Sequence, residues 1–156
     1  MIVLLDATIL TNFARVGLTQ VMNDLWGEQV CTTMDALREY SAGISTAGLA
    51  PLAWRQLNIL TLTSEEESIA AARFNRLGLG ERTCLAVAIN RGCIVATDDK
   101  PARRAAQHHG IQFMGTIGIL RACVKHGLVS DSEAQTLLEK MIAAGYYSPA
   151  LKLDIE

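Results

Sequence analysis

Five short apolar runs are spaced along the chain. The runs MIVLL and GCIVAT contain branched aliphatic residues without a helical period, which is typical of strands covered on both faces in a parallel sheet. The runs EQVCT, LNILTLT and IQFMG have a similar character. The predicted strands are residues 1–5, 28–32, 57–63, 92–97 and 111–115.

The segments between these runs have the pattern of amphipathic helices. Several begin with a hydroxyl residue followed three positions later by an acid, which is the signature of a capping box. The pairs are Ser64 with Glu67, Thr32 with Asp35, and Ser130 with Glu133. Helices are expected to end at NRG, HHG and KHG, where a basic residue or histidine precedes glycine. This alternation predicts a three-layer α/β/α sandwich with a central, mainly parallel sheet and additional helices at the carboxyl end.

Length and charge restrict the class of protein. At 156 residues, half of them apolar, the chain is long enough for one domain with a sizeable core, so we expect a single domain over residues 1–156. The net charge of −2 gives no general attraction for nucleic acid. Any binding of nucleic acid must therefore depend on local basic patches.

Cysteine placement and hydropathy predict a protein of the cytoplasm, outside the membrane. The four cysteines form no CxxC pair and lie in apolar segments, which favours buried, reduced thiols. The amino terminus lacks a basic segment, and Asp6 interrupts its apolar run. The longest uncharged stretch, residues 40–54, contains glycines and a proline and is too short to cross a bilayer. Within it, residues 41–51 fit either a loop or short extra helices.

Five acidic residues fall where a parallel sheet would bring them to one edge. Asp6 directly follows the first strand, and Asp98 and Asp99 directly follow the fourth. Glu39 lies on the helix after the second strand, and Glu81 lies in the first turn of a later helix. Binding sites form at the carboxyl ends of parallel strands, so these carboxylates are expected to converge. Their mutual repulsion then calls for a hard divalent cation held by oxygen ligands.

Each acid also has a purely structural explanation. Asp6 is equally well explained as the N-cap of the following helix, and Asp98 or Asp99 as the N-cap of the helix after the fourth strand. Taken singly, Glu81 is explained by the helix dipole and Glu39 as a solvated surface acid. The combination of the five, rather than any one of them, indicates a metal site.

Several segments resemble those of PIN domains. The opening IVLLDATILTNFARVG is similar to the PIN amino terminus, in which a strand ends in Asp before an apolar helix. The segment TTMDALREY is similar to the second PIN segment, whose helix carries a glutamate. The series from GLGE through TDDKPAR to GTIGIL resembles a branch of PIN proteins known mainly as predicted nucleic-acid-binding proteins. The resemblance covers nearly the whole chain and implies a PIN-like fold with metal-dependent ribonuclease activity.

The resemblance also implies roles for the acids. Asp6 and Asp99 are expected to be the central ligands of one or two Mg²⁺ or Mn²⁺ ions, because PIN strands commonly end in Thr-x-Asp. Glu39 and Glu81 are expected to bind the metal directly or through water and to orient the attacking water. Asp98 is expected to bind the metal, to orient a neighbour or to cap a helix. Many PIN toxins have an aspartate where this chain has Glu81.

Hydroxyl and basic residues flank the acids. Thr8 and Thr97 are expected to hydrogen-bond to the ligand carboxylates, or else to make local backbone bonds. Lys100, Arg103 and Arg104 are expected to contact RNA phosphates, or else to form a solvated helix face. Aromatic residues make up only 5% of the chain, so composition indicates no stacking platform for bases.

Three functions are compatible with the sequence. The first is a PIN-type endoribonuclease acting on RNA as the toxin of a type II toxin-antitoxin pair, with an antitoxin as protein partner. The second is a non-catalytic PIN-fold module that binds nucleic acid or protein. The third is a small Mg²⁺-dependent phosphatase or receiver-like domain, although Asp6-Ala7-Thr8 lacks the Asp-x-Asp of haloacid-dehalogenase phosphatases. The apolar carboxyl-terminal helices are expected to complete the core or to pack against an antitoxin or a second copy in a homodimer.

Overall fold

A five-stranded, all-parallel sheet forms the centre of the computed structural model, which describes residues 1–47 and 54–154. The strands are β1 (Val3–Leu5), β2 (Val30–Thr33), β3 (Asn58–Leu60), β4 (Ile94–Ala96) and β5 (Phe113–Met114). Their order across the sheet is β3-β2-β1-β4-β5. All five predicted strands are present, and each is shorter than the apolar run that indicated it.

Eight α-helices connect and cover these strands within the described residues. They are α1 (Ala7–Arg15), α2 (Gln20–Trp26), α3 (Met34–Ala47), α4 (Ser64–Arg73), α5 (Leu79–Arg91), α6 (Lys100–His108), α7 (Thr116–Lys125) and α8 (Asp131–Ala143). The capping box of α8 at Ser130 and Glu133 is confirmed. So are the helix ends at Gly92, Gly110 and Gly127, whose φ angles of +69°, +67° and +69° favour glycine.

The loosely patterned stretch of residues 41–51 is described only in part. Its first residues, 41–47, form the last turns of α3. The remainder of the stretch lies outside the described residues, so the choice between a loop and short helices stays a prediction there. The interpretation of residues 1–156 as a single domain also stays a prediction.

The sheet packs different side chains on its two faces. In β1, Val3 and Leu5 belong to a core shared with α1, α2, α7 and α8. Leu4 belongs to a second core shared with α4, α5 and α6. Successive residues of a strand point to opposite faces, which accounts for this division. The predicted three-layer α/β/α architecture is confirmed, and α7 and α8 are the additional helices at the carboxyl end.

The capping box of α4 lies one residue earlier than predicted. Thr63, not Ser64, is the N-cap, and its hydroxyl accepts a hydrogen bond from the Glu66 backbone N–H at 3.2 Å. The Glu66 carboxylate accepts from the Thr63 N–H at 2.8 Å. Glu66 rather than Glu67 completes the box because Glu66 turns inward to pair with Arg91.

The start of α3 is displaced in the same way. Thr33, not Thr32, accepts a hydrogen bond from the Ala36 backbone N–H, at 3.2 Å. The Thr32 hydroxyl instead donates to the carbonyl of Leu5 at 2.7 Å. Thr32 is buried inside β2, so its hydroxyl bonds to the neighbouring strand and is not free to cap the helix.

An ion pair between buried Glu66 and exposed Arg91 joins α4 to α5. Glu66 is 0% exposed and accepts hydrogen bonds from Nε of Arg91 at 2.6 Å and from Nη2 at 2.8 Å. Asn90 adds a third side-chain donor at 3.1 Å. These contacts, those of Arg91 above all, lower the pKa of Glu66 to about 2. Glu66 therefore stays ionised in the folded protein and fixes the orientation of α4.

Replacing Glu66 tests this contribution. We expect Glu66→Ala to lower the free energy of unfolding by about 2 kcal/mol, because it removes the acceptor of hydrogen bonds from Arg91, Asn90 and the Thr63 N–H. The folded-state pKa lies below the ordinary 4.5, so the stabilisation is present above about pH 4.5 and is lost as the pH falls towards 2. Urea unfolding of Glu65→Ala, an exposed acid in the same helical turn, is the control. Equal midpoints for the two variants near neutral pH would contradict the prediction.

The four cysteines lie in the core, as their apolar surroundings in the sequence predict. Cys31, Cys84, Cys93 and Cys123 are all buried and free, as predicted. Across the described ranges, no helix is long and apolar enough to cross a membrane.

Candidate active site

The carboxyl ends of β1 and β4 form a crevice at the point where the strand order reverses. From β1 the chain proceeds to β2 and β3 on one side, whereas β4 and β5 lie on the other. Open parallel sheets bind ligands at such reversals. Asp6 directly follows β1, and Asp98 and Asp99 lie just after β4, so the structure places these three acids at this crevice.

Asp6 is a buried carboxylate held by several donors. Its Oδ1 accepts hydrogen bonds from the backbone N–H groups of Thr8 and Ile9, at 3.0 and 3.1 Å, and from the Thr8 hydroxyl at 2.6 Å. The Thr97 hydroxyl donates to Oδ2. Burial raises the pKa of Asp6 to about 7, and the nearby charge of Asp98 adds to this increase. Asp6 thus caps α1, as its structural explanation requires, and is also costly to ionise.

Asp98 is tied to three separate parts of the chain. Its Oδ1 accepts from the Thr116 backbone N–H at 2.9 Å and from the Tyr146 hydroxyl at 3.2 Å. Its Oδ2 accepts from the Thr116 hydroxyl at 2.5 Å and from the Asn12 amide at 3.0 Å. Both carboxylate oxygens therefore already have two donors each, and Asp98 links β4 to α1, α7 and the carboxyl-terminal segment.

The Asp99 carboxylate accepts fewer hydrogen bonds than that of Asp98. Its Oδ2 accepts a hydrogen bond from the Ala102 backbone N–H at 2.8 Å, which makes Asp99 the N-cap of α6. Its backbone N–H donates to the Thr97 hydroxyl at 3.1 Å. No hydrogen bond within the described part of the chain ends on Oδ1 of Asp99. This oxygen is therefore free to bind a further ligand.

Glu39 of α3 and Glu81 of α5 lie close together at the start of α5. Oε1 of Glu39 accepts from the Gly80 backbone N–H at 2.9 Å. A Cβ at Gly80 would stand 2.6 Å from Oε2 of Glu39, and one at Gly78 would stand 2.5 Å from Oε2 of Glu81. The two glycines of the GLGE motif thus make room for the two glutamates. Burial raises the pKa of Glu81, as do the negative charges of Glu39 and Asp99.

The negative charge of the five acids is stabilised by helix starts but not by ion pairs among the described residues. Four of them accept from backbone N–H groups at helix starts, where the positive end of the helix dipole stabilises a carboxylate. They are Asp6 at α1, Asp98 at α7, Asp99 at α6 and Glu39 at α5. Among residues 1–47 and 54–154, the ion pairs are Arg38 with Asp35 and Arg91 with Glu66, and neither involves these acids. In the part of the chain that the structure describes, these carboxylates therefore form no ion pair with a cationic side chain.

This donor set fits a hard divalent cation. Carboxylate oxygens are the ligands that Mg²⁺ and Mn²⁺ prefer. In the described residues, no three His, Cys, Asp or Glu side chains form a ready-made group for a metal. A cation would therefore be bound by few protein ligands and would keep several waters, as Mg²⁺ usually does.

Comparison with known families identifies the chain. A family model described as a PIN domain matches residues 2–153. The chain belongs to the PIN-domain family. The all-parallel sheet and the layers of helices agree with this family's fold. A search of curated proteins finds no match. PIN domains are generally nucleases, so the match favours a nuclease-type function.

The PIN domain has a cleft of about 620 Å³ beside its acids. Among the residues that line it are Asp98, Asp99, Arg15, Lys100 and Tyr147. The amino group of Lys100 lies 5.5 Å from the centre of the Tyr147 ring. The cleft thus brings carboxylates, cations and an aromatic ring together.

The basic residues predicted to meet phosphates have different surroundings. Lys100 is exposed in the wall of the cleft. The guanidinium carbon of Arg103 lies 5.2 Å from the centre of the Phe113 ring, so this side chain is half-buried against β5. Arg104 is exposed on α6. Lys100 lies directly after Asp99, and Nη1 of Arg103 lies near Oδ1 of Asp98, since both atoms would be within 4 Å of a Cβ at Gly115.

Sequence reasoning missed several residues of this site. Asn12 lies four positions after Thr8 on α1, so the helical period was a signal that both could face the same group. Thr116 opens α7 within the GTIGIL motif. Arg15, Tyr146 and Tyr147 gave no comparable local signal, because only the fold brings the end of α1 and the carboxyl-terminal segment together.

Proposed function

We propose that this PIN domain is a metal-dependent endoribonuclease that hydrolyses phosphodiester bonds in RNA. The observation that supports this most strongly is the group formed by Asp6, Asp98 and Asp99 at the strand reversal, without a cationic side-chain partner among the described residues. The adjoining cleft offers Arg15 and Lys100 for phosphate groups. Substrate and metal would thus meet at one edge of the sheet.

The metal is the second part of the proposal. Asp6 and Asp99 would be its central ligands, and Glu81 and Glu39 would bind it directly or through water. A bound Mg²⁺ or Mn²⁺ lowers the pKa of water and stabilises the charge on a phosphate and its leaving oxygen. The free Oδ1 of Asp99 and the raised pKa values of Asp6 and Glu81 support this assignment. A cation would relieve the cost of ionising both groups.

Other residues of the chain would hold this arrangement in place. The Thr8 hydroxyl donates a hydrogen bond to Oδ1 of Asp6, and the Thr97 hydroxyl donates one to Oδ2. Together they fix the plane of the carboxylate. Asp98 accepts four hydrogen bonds, as Asp6 does, and those from Thr116 would let it position the end of β4. Lys100 would hold a phosphate at the border of the cleft.

A cleavage assay tests the proposed activity. We expect purified protein to cleave a labelled RNA in the presence of Mg²⁺ or Mn²⁺ and to lose this activity in EDTA. Asp6→Asn protein, purified in the same way, is the control for contaminating nucleases and should be inactive. Equal cleavage with and without EDTA, or full activity of the control, would refute the proposal.

The resemblance to PIN toxins supports a narrower proposal. The protein would be the toxin of a type II pair, and its partner an antitoxin. Under this proposal, a short reading frame for a DNA-binding protein should lie immediately upstream, and co-expression of that protein should inhibit RNA cleavage. Cleavage that is unaffected by the upstream product would count against a toxin role. A homodimer stays a prediction that sedimentation analysis can test.

A non-catalytic binding module is the second candidate. It is favoured by one observation, namely that within the described ranges the acids do not form a ready-made metal group. Most of them have structural roles as helix caps, which they would keep in an inactive protein. Calorimetry separates the two candidates, because a binding module would bind RNA or protein without measurable affinity for Mn²⁺.

A further inference from the structure

One aromatic side chain in the cleft is almost fully exposed. Tyr147 is 85% exposed, although a tyrosine ring usually buries most of its surface. It lines the same cleft as Asp98 and Asp99, on the wall that also carries Lys100. The neighbouring Tyr146 is, by contrast, buried. The pair therefore presents one ring to the core and the other to the cleft beside the acids.

The backbone around Tyr147 is held in position. The Tyr146 hydroxyl donates to Asp98 at 3.2 Å, which anchors the preceding residue to the acid crevice. Gly145 has a φ of +110°, which side-chain-bearing residues rarely adopt and which turns the chain after α8 towards α1. The Ser148 hydroxyl closes a turn on the other side by donating to the Ala150 carbonyl at 2.6 Å. Tyr147 is thus exposed on an anchored segment.

Lys100 also orients the ring. Its amino group lies 5.5 Å from the ring centre, within the range of a cation–π contact. The same Lys100 is the first residue of α6, directly after Asp99. The ring therefore lies near the acid that we assign to the metal, and its exposed surface remains accessible from the cleft.

We propose that Tyr147 stacks on an unpaired nucleobase next to the scissile phosphate, while Lys100 and Arg15 hold the adjacent phosphates. This inference rests on the proposed function, because it assumes that RNA lies in the cleft. Stacking on an aromatic ring accepts any base and requires a free base face, which a base inside a duplex lacks. Tyr147 would thus make the enzyme select unpaired nucleotides at one position beside the cut.

Binding of a fluorescent RNA tests the role of Tyr147 without hydrolysis. The probe is a single-stranded oligouridine that carries one 2-aminopurine, a base whose fluorescence falls when it stacks. Measurements are made in EDTA and, in parallel, with Ca²⁺. We expect Tyr147→Leu to bind about tenfold more weakly or worse and to lose the fluorescence quenching, whereas Tyr147→Phe keeps both. Leu151→Ala, another highly exposed apolar residue near the carboxyl end, is the matched control and should behave as wild type.

The outcomes separate this inference from the proposed function. Equal affinity and quenching for Tyr147→Leu and wild type in both buffers, or no RNA binding by wild type in either, would overturn it. So would the same loss of affinity for a blunt RNA duplex, because a stacked pair cannot reach the ring. If Tyr147-dependent binding is present but cleavage is absent in Mg²⁺ and Mn²⁺, the nuclease proposal fails and the stacking role stands. If cleavage occurs but Tyr147→Leu binds normally, only the stacking role fails.

Discussion

Asp99→Asn is expected to reduce RNA cleavage at least about 100-fold and to weaken Mn²⁺ binding by a similar factor. Under the proposed function, Oδ1 of Asp99 is the oxygen that remains for the metal, since Oδ2 caps α6. Asparagine caps a helix about as well as aspartate, so the substitution removes the charge and keeps the cap. The free energy of unfolding in EDTA should therefore change by less than about 1 kcal/mol.

Asp98→Asn is the matched variant, and the opposite pattern is expected. Each oxygen of Asp98 accepts two hydrogen bonds, so the new amide group must replace an oxygen that faces donors from Thr116 and from Asn12 or Tyr146. We expect this to cost about 1–3 kcal/mol of unfolding free energy. The affinity for Mn²⁺ should fall by less than about tenfold, because Asp98 acts mainly through the position of its neighbours.

Three measurements on the two variants decide between the aspartates. Calorimetry gives the Mn²⁺ affinity, urea unfolding in EDTA gives the stability, and a cleavage assay gives the activity. A larger loss of Mn²⁺ affinity in Asp98→Asn than in Asp99→Asn would show that the ligand has been assigned to the wrong residue. Equal losses in both would mean that the two carboxylates bind the metal together.

The sheet and the positions of the acids were predictable because they depend on local signals. Apolar runs without a helical period identified every strand, and acids at the ends of those runs must lie at one edge once the strands are parallel. The one-residue errors at the starts of α3 and α4 have a different cause. Glu66 takes the capping position because it pairs with Arg91, a contact 25 residues away that no local pattern contains.

The environment of Asp98 was not predictable for the same reason. The sequence offered Asp98 and Asp99 as alternative caps of one helix, whereas the two residues serve different helices. Asp99 caps α6 next to it, and Asp98 accepts from the first N–H of α7, 18 residues further on. Its bond to Tyr146 spans 48 residues. Such long-range partners depend on the complete fold, in which α7 and the carboxyl-terminal segment return to the crevice.

The residues that line the cleft could not be predicted from amino-acid composition. The low aromatic content predicts no stacking platform, because composition gives the number of rings and not their positions. The exposed ring of Tyr147 nevertheless lies beside the acids. The basic residues after the aspartates, close together in sequence, also differ in position, since Arg103 packs against Phe113 of β5 and Lys100 lines the cleft.

Asp6→Asn is expected to stabilise the metal-free protein and to abolish the stabilisation by a bound metal. Burial raises the pKa of Asp6 from 3.8 to about 7, and no cationic side chain among the described residues pairs with it. Between these pH values the unfolded chain releases a proton that the folded chain keeps, so the stability of the wild type falls as the pH rises. Asparagine has no such proton and retains an oxygen for the donors Thr8 and Ile9.

Unfolding in EDTA at about pH 4 and about pH 8 measures this effect. The stability of Asp6→Asn relative to wild type should increase by about 3–4 kcal/mol between the two pH values, since each pKa unit corresponds to about 1.4 kcal/mol. Mn²⁺ at about pH 8 should then stabilise the wild type and leave the variant unchanged, because a ligand that binds only the native state shifts its stability. Asp24→Asn, which removes an exposed acid, is the control for loss of charge. A pH-independent difference between Asp6→Asn and wild type would mean that Asp6 is ionised in the folded protein without a metal.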